Sequence, residues 1–446
     1  MPRTFVEALN ALPMRPFQWV TLFVCMCVLV GAGVALQLLG IIAPLVMEAF
    51  AVERGEFGIA MSAAIIGFGV GAWGGGWLGD RIGRRWTIAI AALAYAFATM
   101  GSSTTEGVWE LAIWRVVTGL GVGGVYPNVL SLASEWLAER WRPVAISTLT
   151  VGVPIGGTIA GWLAPGLTAS SGWEGTFTSL GLALLAVCVL VLLVLRDSPS
   201  YLLERGKADA AQKNAGKVLD GTVELVAEPK PALKPGERHI GVLHSSNKRF
   251  NIGVGIAFSS AALVAFGILS WSTTFLTTAG FDFAEASRAV SIAGITSIAG
   301  SVLAGILVRR YGSRLIMSLF SATLCLVIIV LGWQVQMLPD QPDATQRLVV
   351  VSLVGLAGAV FSACMAAMYV IMALGYPQSC RSAGIGFGIF MSRVGAFLAT
   401  AFGGALLQWG GTSVVPFFAV LLVASAMVSA AAFVVDRQVP PARTQG

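Results

Sequence analysis

Charge is scarce in this chain. Asp, Glu, Lys and Arg together make up 11% of its 446 residues, against roughly 25% in an ordinary soluble domain. Histidine is scarcer still, with His239 and His244 as the only two, both in one polar stretch. No His/Asp/Glu cluster for a metal can be drawn from them, and no nucleophile–base–acid group can be assembled. An enzyme is therefore not expected, and no cofactor or metal is implied. No Gly-x-x-x-x-Gly-Lys-Ser/Thr segment occurs, which sets aside ATP-driven chemistry. The six cysteines, Cys25, Cys27, Cys188, Cys325, Cys364 and Cys380, lie mostly inside apolar runs without metal-like spacing. Each reads as a small, soft core residue.

What the chain has in abundance is apolar length. Hydrophobic residues make up 56% of it and mean hydropathy is +0.82, more apolar surface than a water-soluble fold can cover. Runs such as 19–39 and 180–195 are on the order of the ~20 residues that cross a bilayer as a helix. A β-barrel would instead show short alternating segments. The 53 glycines suit helices in lipid, where small residues let backbones approach closely. Apolar segments fall at roughly 18–45, 56–78, 86–105, 109–133, 145–168 and 175–195, and again at roughly 250–278, 286–308, 313–337, 347–375, 382–408 and 412–435. The expected fold is an all-α membrane protein with twelve transmembrane helices in two six-helix halves. The halves are 1–196 and 249–446, the second with a short cytoplasmic tail, joined by a cytoplasmic linker over 197–248. The first run opens after Phe17, is too long for a signal h-region and lacks a convincing cleavage site, so it is expected to remain as a span.

Loop charges orient the spans. With the N-terminus inside, one side collects Arg3, Arg15, Arg81, Arg84, Arg85, Arg140, Arg142, the linker lysines, Arg309, Arg310, Arg314 and Arg381. The other side holds mainly acids: Glu48, Glu53, Glu106, Glu174, Asp282 and Asp340. Basic loops stay inside, which places both termini in the cytoplasm. The net charge of +6 then reflects orientation in a lipid bilayer, with no nucleic acid as partner. Two six-helix halves joined by a linker point to a transporter that rocks around a central cavity. One chain supplies both halves, so a monomer is sufficient.

An internal repeat supports this reading. Gly76-Trp77-Leu78-Gly79-Asp80-Arg81-Ile82-Gly83-Arg84-Arg85 follows the second segment, and Gly305-Ile306-Leu307-Val308-Arg309-Arg310-Tyr311-Gly312-Ser313-Arg314 follows the eighth. On these motifs the chain resembles the major facilitator superfamily over nearly its whole length. The resemblance implies that the first loop is a conformational latch, with Asp80, Arg81 and Arg85 pairing with a helix end and with charges across the halves. An acid near a helix N-terminus is favoured by the exposed N–H groups there. The second copy has Arg309 where the first has Asp80, which makes it a weaker or different latch.

A narrower resemblance rests on Arg115, Thr118, Gly121, Gly123, Gly124, Pro127-Asn128, Ser134-Glu135, Arg140, Arg142 and Gly156-Gly157. This passage is similar to the aromatic acid:proton symporter branch, which imports benzoate-like acids in bacteria. Tyr376-Pro377, Arg381, Gly384, Gly386 and Arg393 match its eleventh-helix region, while Asp197-Ser198-Pro199-Ser200 is an imperfect match to the segment after its sixth helix. The resemblance implies a small organic anion, aromatic in kind, carried with protons across the bacterial cytoplasmic (inner) membrane.

Arg393 is the first candidate for substrate contact. It lies 12 residues after Arg381, about 18 Å along a helix and so near mid-bilayer. A charge there needs a cavity or a partner. A guanidinium group grips a carboxylate through two parallel hydrogen bonds; the alternative is an arginine pinning a neighbouring helix. Arg115 either guides the anion or snorkels to the headgroups. Glu135 is either a gate or protonatable site, or the partner of Arg140 or Arg142. Trp271 and Tyr369 are candidate walls for an aromatic ring. Gln37, Asn128 and Ser392 are polar inside spans, either reading substrate or joining helices.

One departure stands out. The branch usually carries Asp-Gly-Phe/Tyr-Asp in its first helix, ahead of a Gly-x-x-Ala-Pro run. The run is here as Gly40-Ile41-Ile42-Ala43-Pro44, but the four positions upstream read Ala32-Gly33-Val34-Ala35. Both acids are missing, so proton coupling either rests on Glu135 or Asp80 or is absent. The leading expectation is a secondary active importer of an aromatic carboxylate with protons. Behind it stand an uncoupled facilitator or exchanger of another organic anion, and a drug or metabolite exporter, for which Gly152-Val153-Pro154-Ile155-Gly156-Gly157 is a partial signature. A non-transporting sensor comes last.

Overall fold

The computed structural model describes residues 3–219, 225–226, 242–339, 341–376, 380–435 and 437–438. Linker residues 220–224 and 227–241, with His239, Lys230 and Lys234, lie outside the described residues, as do Asp340, Pro377 and the side chains of Arg3, Arg309 and Arg381.

In hydrocarbon every backbone N–H and C=O must be satisfied within the chain, and a helix does this locally. Eleven helices among the described residues are long and apolar enough to cross a membrane. They are α1 (Pro16–Phe50), α2 (Arg54–Ile82), α3 (Arg84–Gly101), α4 (Val108–Glu135), α5 (Gly152–Val194), α6 (Lys248–Thr278), α7 (Phe283–Tyr311), α8 (Ser313–Gln336), α9 (Ala344–Gly375), α10 (Arg381–Gly410) and α11 (Val415–Val434). The count differs from the expected twelve because two apolar segments fall inside α5. That helix is broken at Gly172, whose φ of 70° and ψ of −178° are not helical. Short helices at Phe5–Asn10, Arg142–Thr150, Pro199–Glu204 and Ala208–Ala215 lie between or before the spans, and Arg3–Thr4 pairs in parallel with Leu225–Val226.

Glycine sets how closely the spans pack. A Cβ at Gly67 or Gly71 on α2 would sit about 2 Å from the Val116 and Leu120 carbonyl oxygens of α4, and one at Gly119 or Gly123 on α4 would strike the Ala64 and Phe68 oxygens of α2. The two helices therefore touch backbone to backbone. The same device joins α1 to α5 through Gly33 and Gly156, α7 to α9 through Gly300 and Gly358, and α6 to α10 through Gly395. The pairs before the linker region, α2 with α4 and α1 with α5, are thus repeated after it by α7 with α9 and α6 with α10.

The loop repeat is visible in the backbone. Gly83, between α2 and α3, has φ 102° and ψ 153°, and Gly312, between α7 and α8, has φ 85° and ψ 156°. Both glycines also donate a capping hydrogen bond to the fourth residue back, at Gly79 and Val308. Positive φ is strained for any residue with a Cβ, which explains why glycine holds this place in both copies.

Candidate transport site

The ends of the spans define two faces. The linker face carries the short helix Pro199–Glu204 and the residues just after α11; the opposite face carries Glu53 and Arg54. Contacts between the helices before and after the linker region concentrate toward the opposite face. There Arg54 donates to the Thr278 hydroxyl at 2.9 Å, Gly55 N–H donates to Gln408 at 3.0 Å, and Gln408 in turn reaches Glu53. Deeper, Ser287 of α7 donates to the Gly161 carbonyl of α5 at 2.7 Å, and Ser291 and Thr158 exchange hydroxyl-to-carbonyl bonds. Pro44 has no N–H, so the Gly40 carbonyl loses its intrahelical donor, and Thr273 of α6 donates to it at 2.6 Å.

Toward the linker face this contact ends. The α2 face carrying Gly58, Ser62 and Ile65 is buried, but one to three turns on Gly69 is exposed and Ala72 and Gly76 are half-exposed. Methyl groups added at Gly69, Gly76, Gly305 of α7 or Gly386 of α10 would meet no atom within 4 Å. The helices are thus closed from mid-span to the opposite face and parted at the linker face.

Arg393 sits where the closed part meets the open part. Its guanidinium carbon lies 3.9 Å above the centre of the Phe68 ring of α2. Tyr126 of α4 and Tyr369 of α9 are its other electrostatic neighbours. Phe68 and Tyr126 approach each other at 6.2 Å, and Tyr369 stands edge-on to Phe258 of α6 at 4.9 Å. Among the described residues Arg393 has no hydrogen-bonding or ion-pair partner, and its Nε is buried without one. A ring face gives a cation about 0.5–2 kcal/mol, while a charge at mid-span costs about 3 kcal/mol or more, so the ring does not offset it. The Tyr126 and Tyr369 hydroxyls likewise have no protein hydrogen-bond partner among the described residues, and Tyr369 is 40% exposed. The result is a cation, two phenols and aromatic faces around one point: the chemistry that receives a carboxylate attached to a flat apolar body.

The family model described as Major Facilitator Superfamily matches residues 23–338. The chain belongs to that superfamily. Among curated proteins it is 27% identical to a gallate transporter of Pseudomonas putida over 405 residues, 89% of this chain and 87% of that one. It is 25% identical to the 4-hydroxybenzoate transporter PcaK of Acinetobacter baylyi over 442 residues, covering 96% and 93%. Its fold is shared with an inward-facing, occupied bacterial homologue of the human lysosomal transporter Spinster (TM-score 0.71, 14% identity, 95% and 97% covered). A partially occluded, inward-open xylose transporter XylE of E. coli is also similar (TM-score 0.69, 17% identity, 94% and 98% covered). The chain is a multi-pass membrane transporter, not an enzyme.

For this superfamily member the other expected site residues divide clearly. Tyr369 joins Arg393. Arg115 does not snorkel to the headgroups: it is 3% exposed and donates through Nη1 and Nη2 to the Ala35 and Leu36 carbonyls of α1, at 2.7 and 2.8 Å. Asn128 donates to the Gly75 and Gly124 carbonyls at 2.8 Å each, joining α2 to α4. Gln37 lies against Gly157 and the Val153 carbonyl of α5. Ser392 closes on the Ile389 carbonyl of its own helix. Trp271 is fully buried over Gly403 and Gly404, its indole N–H donating to the Ala399 carbonyl at 3.2 Å, so it packs α6 against α10 away from the open side. The exporter-like glycines Gly152 and Gly156 pack against α1. Phe68 and Tyr126 were not singled out from sequence. The available signal was Tyr126 itself, one of six tyrosines, beside the Pro127-Asn128 pair.

The loop residues gather at the linker face but stay on one side of the molecule. Glu135 pairs with Arg84 at 3.2 Å and accepts from Ser198 at 2.6 Å; Arg140 and Arg142 instead donate to backbone carbonyls at Leu12 and Leu137. Asp80 pairs with Arg84 at 2.6 Å, and Arg81 lies 4.0 Å over the Trp77 ring. Arg85 donates through its backbone N–H to Asp197 at 3.0 Å and through Nη2 to the Leu192 carbonyl. Burial holds the Asp197 carboxyl above the usual range, against the pull of that N–H and of Arg85, Arg84 and Lys207. Asp80, Arg81 and Arg85 pair with no charge from the helices after the linker region among the described residues. Among the described residues these three groups therefore form no cross-half latch.

Proposed function

We propose that the protein is a secondary transporter importing an aromatic carboxylate, benzoate or a hydroxybenzoate in kind, by alternating access. Counting the two arms of α5 as separate spans gives twelve, six on each side of the linker. The linker face is the cytoplasmic face of a bacterial inner membrane, both termini lie there, and the chain stands in an inward-open arrangement. One observation carries the substrate reading: Arg393 is a guanidinium without a partner among the described residues, set among aromatic side chains at the closed end of the open side. The relatives named above for gallate and 4-hydroxybenzoate support the same chemical class.

The test is uptake of labelled benzoate and 4-hydroxybenzoate by cells expressing the protein, with benzamide as competitor. Benzamide keeps the ring and loses the charge, so uptake of both acids with no competition from benzamide is the expected result. Equal competition by benzamide, or no uptake of either acid, contradicts it.

A further inference from the structure

The charges inside the spans bear on how transport is coupled. Among the described residues no carboxylate lies within the core of a span; the acids on the long helices occupy terminal turns, or in the case of Glu174 sit beside the Gly172 break. Two guanidinium groups do lie inside, and the fold treats them oppositely. Arg115 is held by two carbonyls of α1, so it is partnered and moves with the helices on its own side of the linker. Arg393 has no protein partner among the described residues, and the groups facing it come from both sides: Phe68 of α2 and Tyr126 of α4 from one, Tyr369 of α9 from the other.

When the linker face closes and the opposite face opens, those aromatic side chains must close over Arg393. An unloaded carrier would make this passage with a lone cation stripped of water between apolar rings, which is strongly unfavourable. With a carboxylate bound, the same passage carries a neutral, doubly hydrogen-bonded pair. Ala35, whose carbonyl Arg115 holds, and Ala32 one turn before it are buried methyl groups and provide no acid for the return step. The titratable groups facing Arg393, Tyr126 and Tyr369, are phenols, which carry no charge near neutral pH.

We propose that the protein is a carboxylate exchanger: one monocarboxylate enters as another leaves, with no proton carried and no net charge moved. This rests on the reading of Arg393 as the anion contact. The loaded form reorients readily and the unloaded form slowly, so transport in either direction is paced by a carboxylate on the other side.

The experiment uses the purified full chain in proteoliposomes, with labelled benzoate outside. The lumen holds either unlabelled benzoate or chloride, with and without an inside-alkaline pH gradient and a protonophore. The expected result is initial uptake faster by about ten-fold or more into benzoate-loaded vesicles, unchanged by the protonophore. Arg393→Gln, which removes the cation, should bring the ratio of the two rates toward one whatever it does to affinity. Uptake into chloride-loaded vesicles that is driven by the pH gradient and abolished by the protonophore overturns exchange while leaving the substrate class standing. So does equal uptake into both kinds of vesicle by the unaltered protein. No uptake under any of these conditions overturns the carboxylate reading beneath it.

Discussion

Two buried arginines carry opposite consequences at the scale of the residue. Arg115 is bonded to the α1 backbone, and hydrogen bonds to charged groups contribute about 1.5–3 kcal/mol. Arg393 makes no hydrogen bond or ion pair among the described residues and lies over the Phe68 ring, and removing a lone interior charge relieves about 3 kcal/mol. Thermal unfolding in detergent should therefore show Arg115→Ala lowering the melting temperature while Arg393→Ala leaves it unchanged or raises it; the reverse order would mean the two roles are misassigned. The unpartnered hydroxyls give a second expectation. Tyr126→Phe or Tyr369→Phe should weaken binding of benzoate and 4-hydroxybenzoate alike by up to about ten-fold, one hydrogen bond's worth, read by competition for uptake; no change with either acid would show that the phenols do not reach the carboxylate. Position along a helix was enough to place Arg393 at mid-span from sequence. It could not show which way Arg115 turns, because a guanidinium seven residues into α4 reaches headgroups, cavity or a neighbour's carbonyls equally well. Only the proximity of α1 decides.

At the scale of the element, the repeated loop was legible because its glycines answer a backbone demand. Gly83 and Gly312 adopt nearly the same positive-φ turn. Replacing either with alanine should cost about 1–3 kcal/mol of strain. Gly83→Ala should be the more damaging, since its Cβ would also come within 2.6 Å of the Asp197 carboxylate oxygen that caps α3. Thermal unfolding of both variants checks this, and an unchanged melting temperature for Gly83→Ala would show that the turn can relax. The ion pairs of the same loop were not legible. Sequence neighbours suggested Arg140 or Arg142 for Glu135, yet the chain reversal after α2 brings Arg84 to it. Likewise Trp271 read as a possible wall of the site, and only the packing of Gly403 and Gly404 beneath it shows that its space is already filled.

Across the whole molecule the helices are closed at one face and open at the other, with Arg393 between. The spans were evident from apolar length and the repeated loop from its glycine and arginine motif. Which face is parted was not, because one sequence must support both arrangements of an alternating-access cycle. The closed face must open for transport, so tethering it should stop the cycle. Thr158→Cys with Ser291→Cys places thiols where α5 and α7 exchange hydroxyl-to-carbonyl bonds. Oxidation of this pair should abolish uptake and reduction should restore it, whereas undiminished uptake by the cross-linked protein would show that these helices do not separate.

The central claim is that Arg393 receives the carboxylate of the substrate. Its most direct test is initial-rate uptake of labelled benzoate by cells producing equal surface amounts of the unaltered protein, Arg393→Lys and Arg393→Ala. Arg393→Ala should lose on the order of 100-fold at low substrate, the worth of a charge-assisted contact of about 3 kcal/mol. Arg393→Lys should retain part of the rate through its charge while losing the two-pronged geometry. Uptake by Arg393→Ala equal to that of the unaltered protein would contradict the claim.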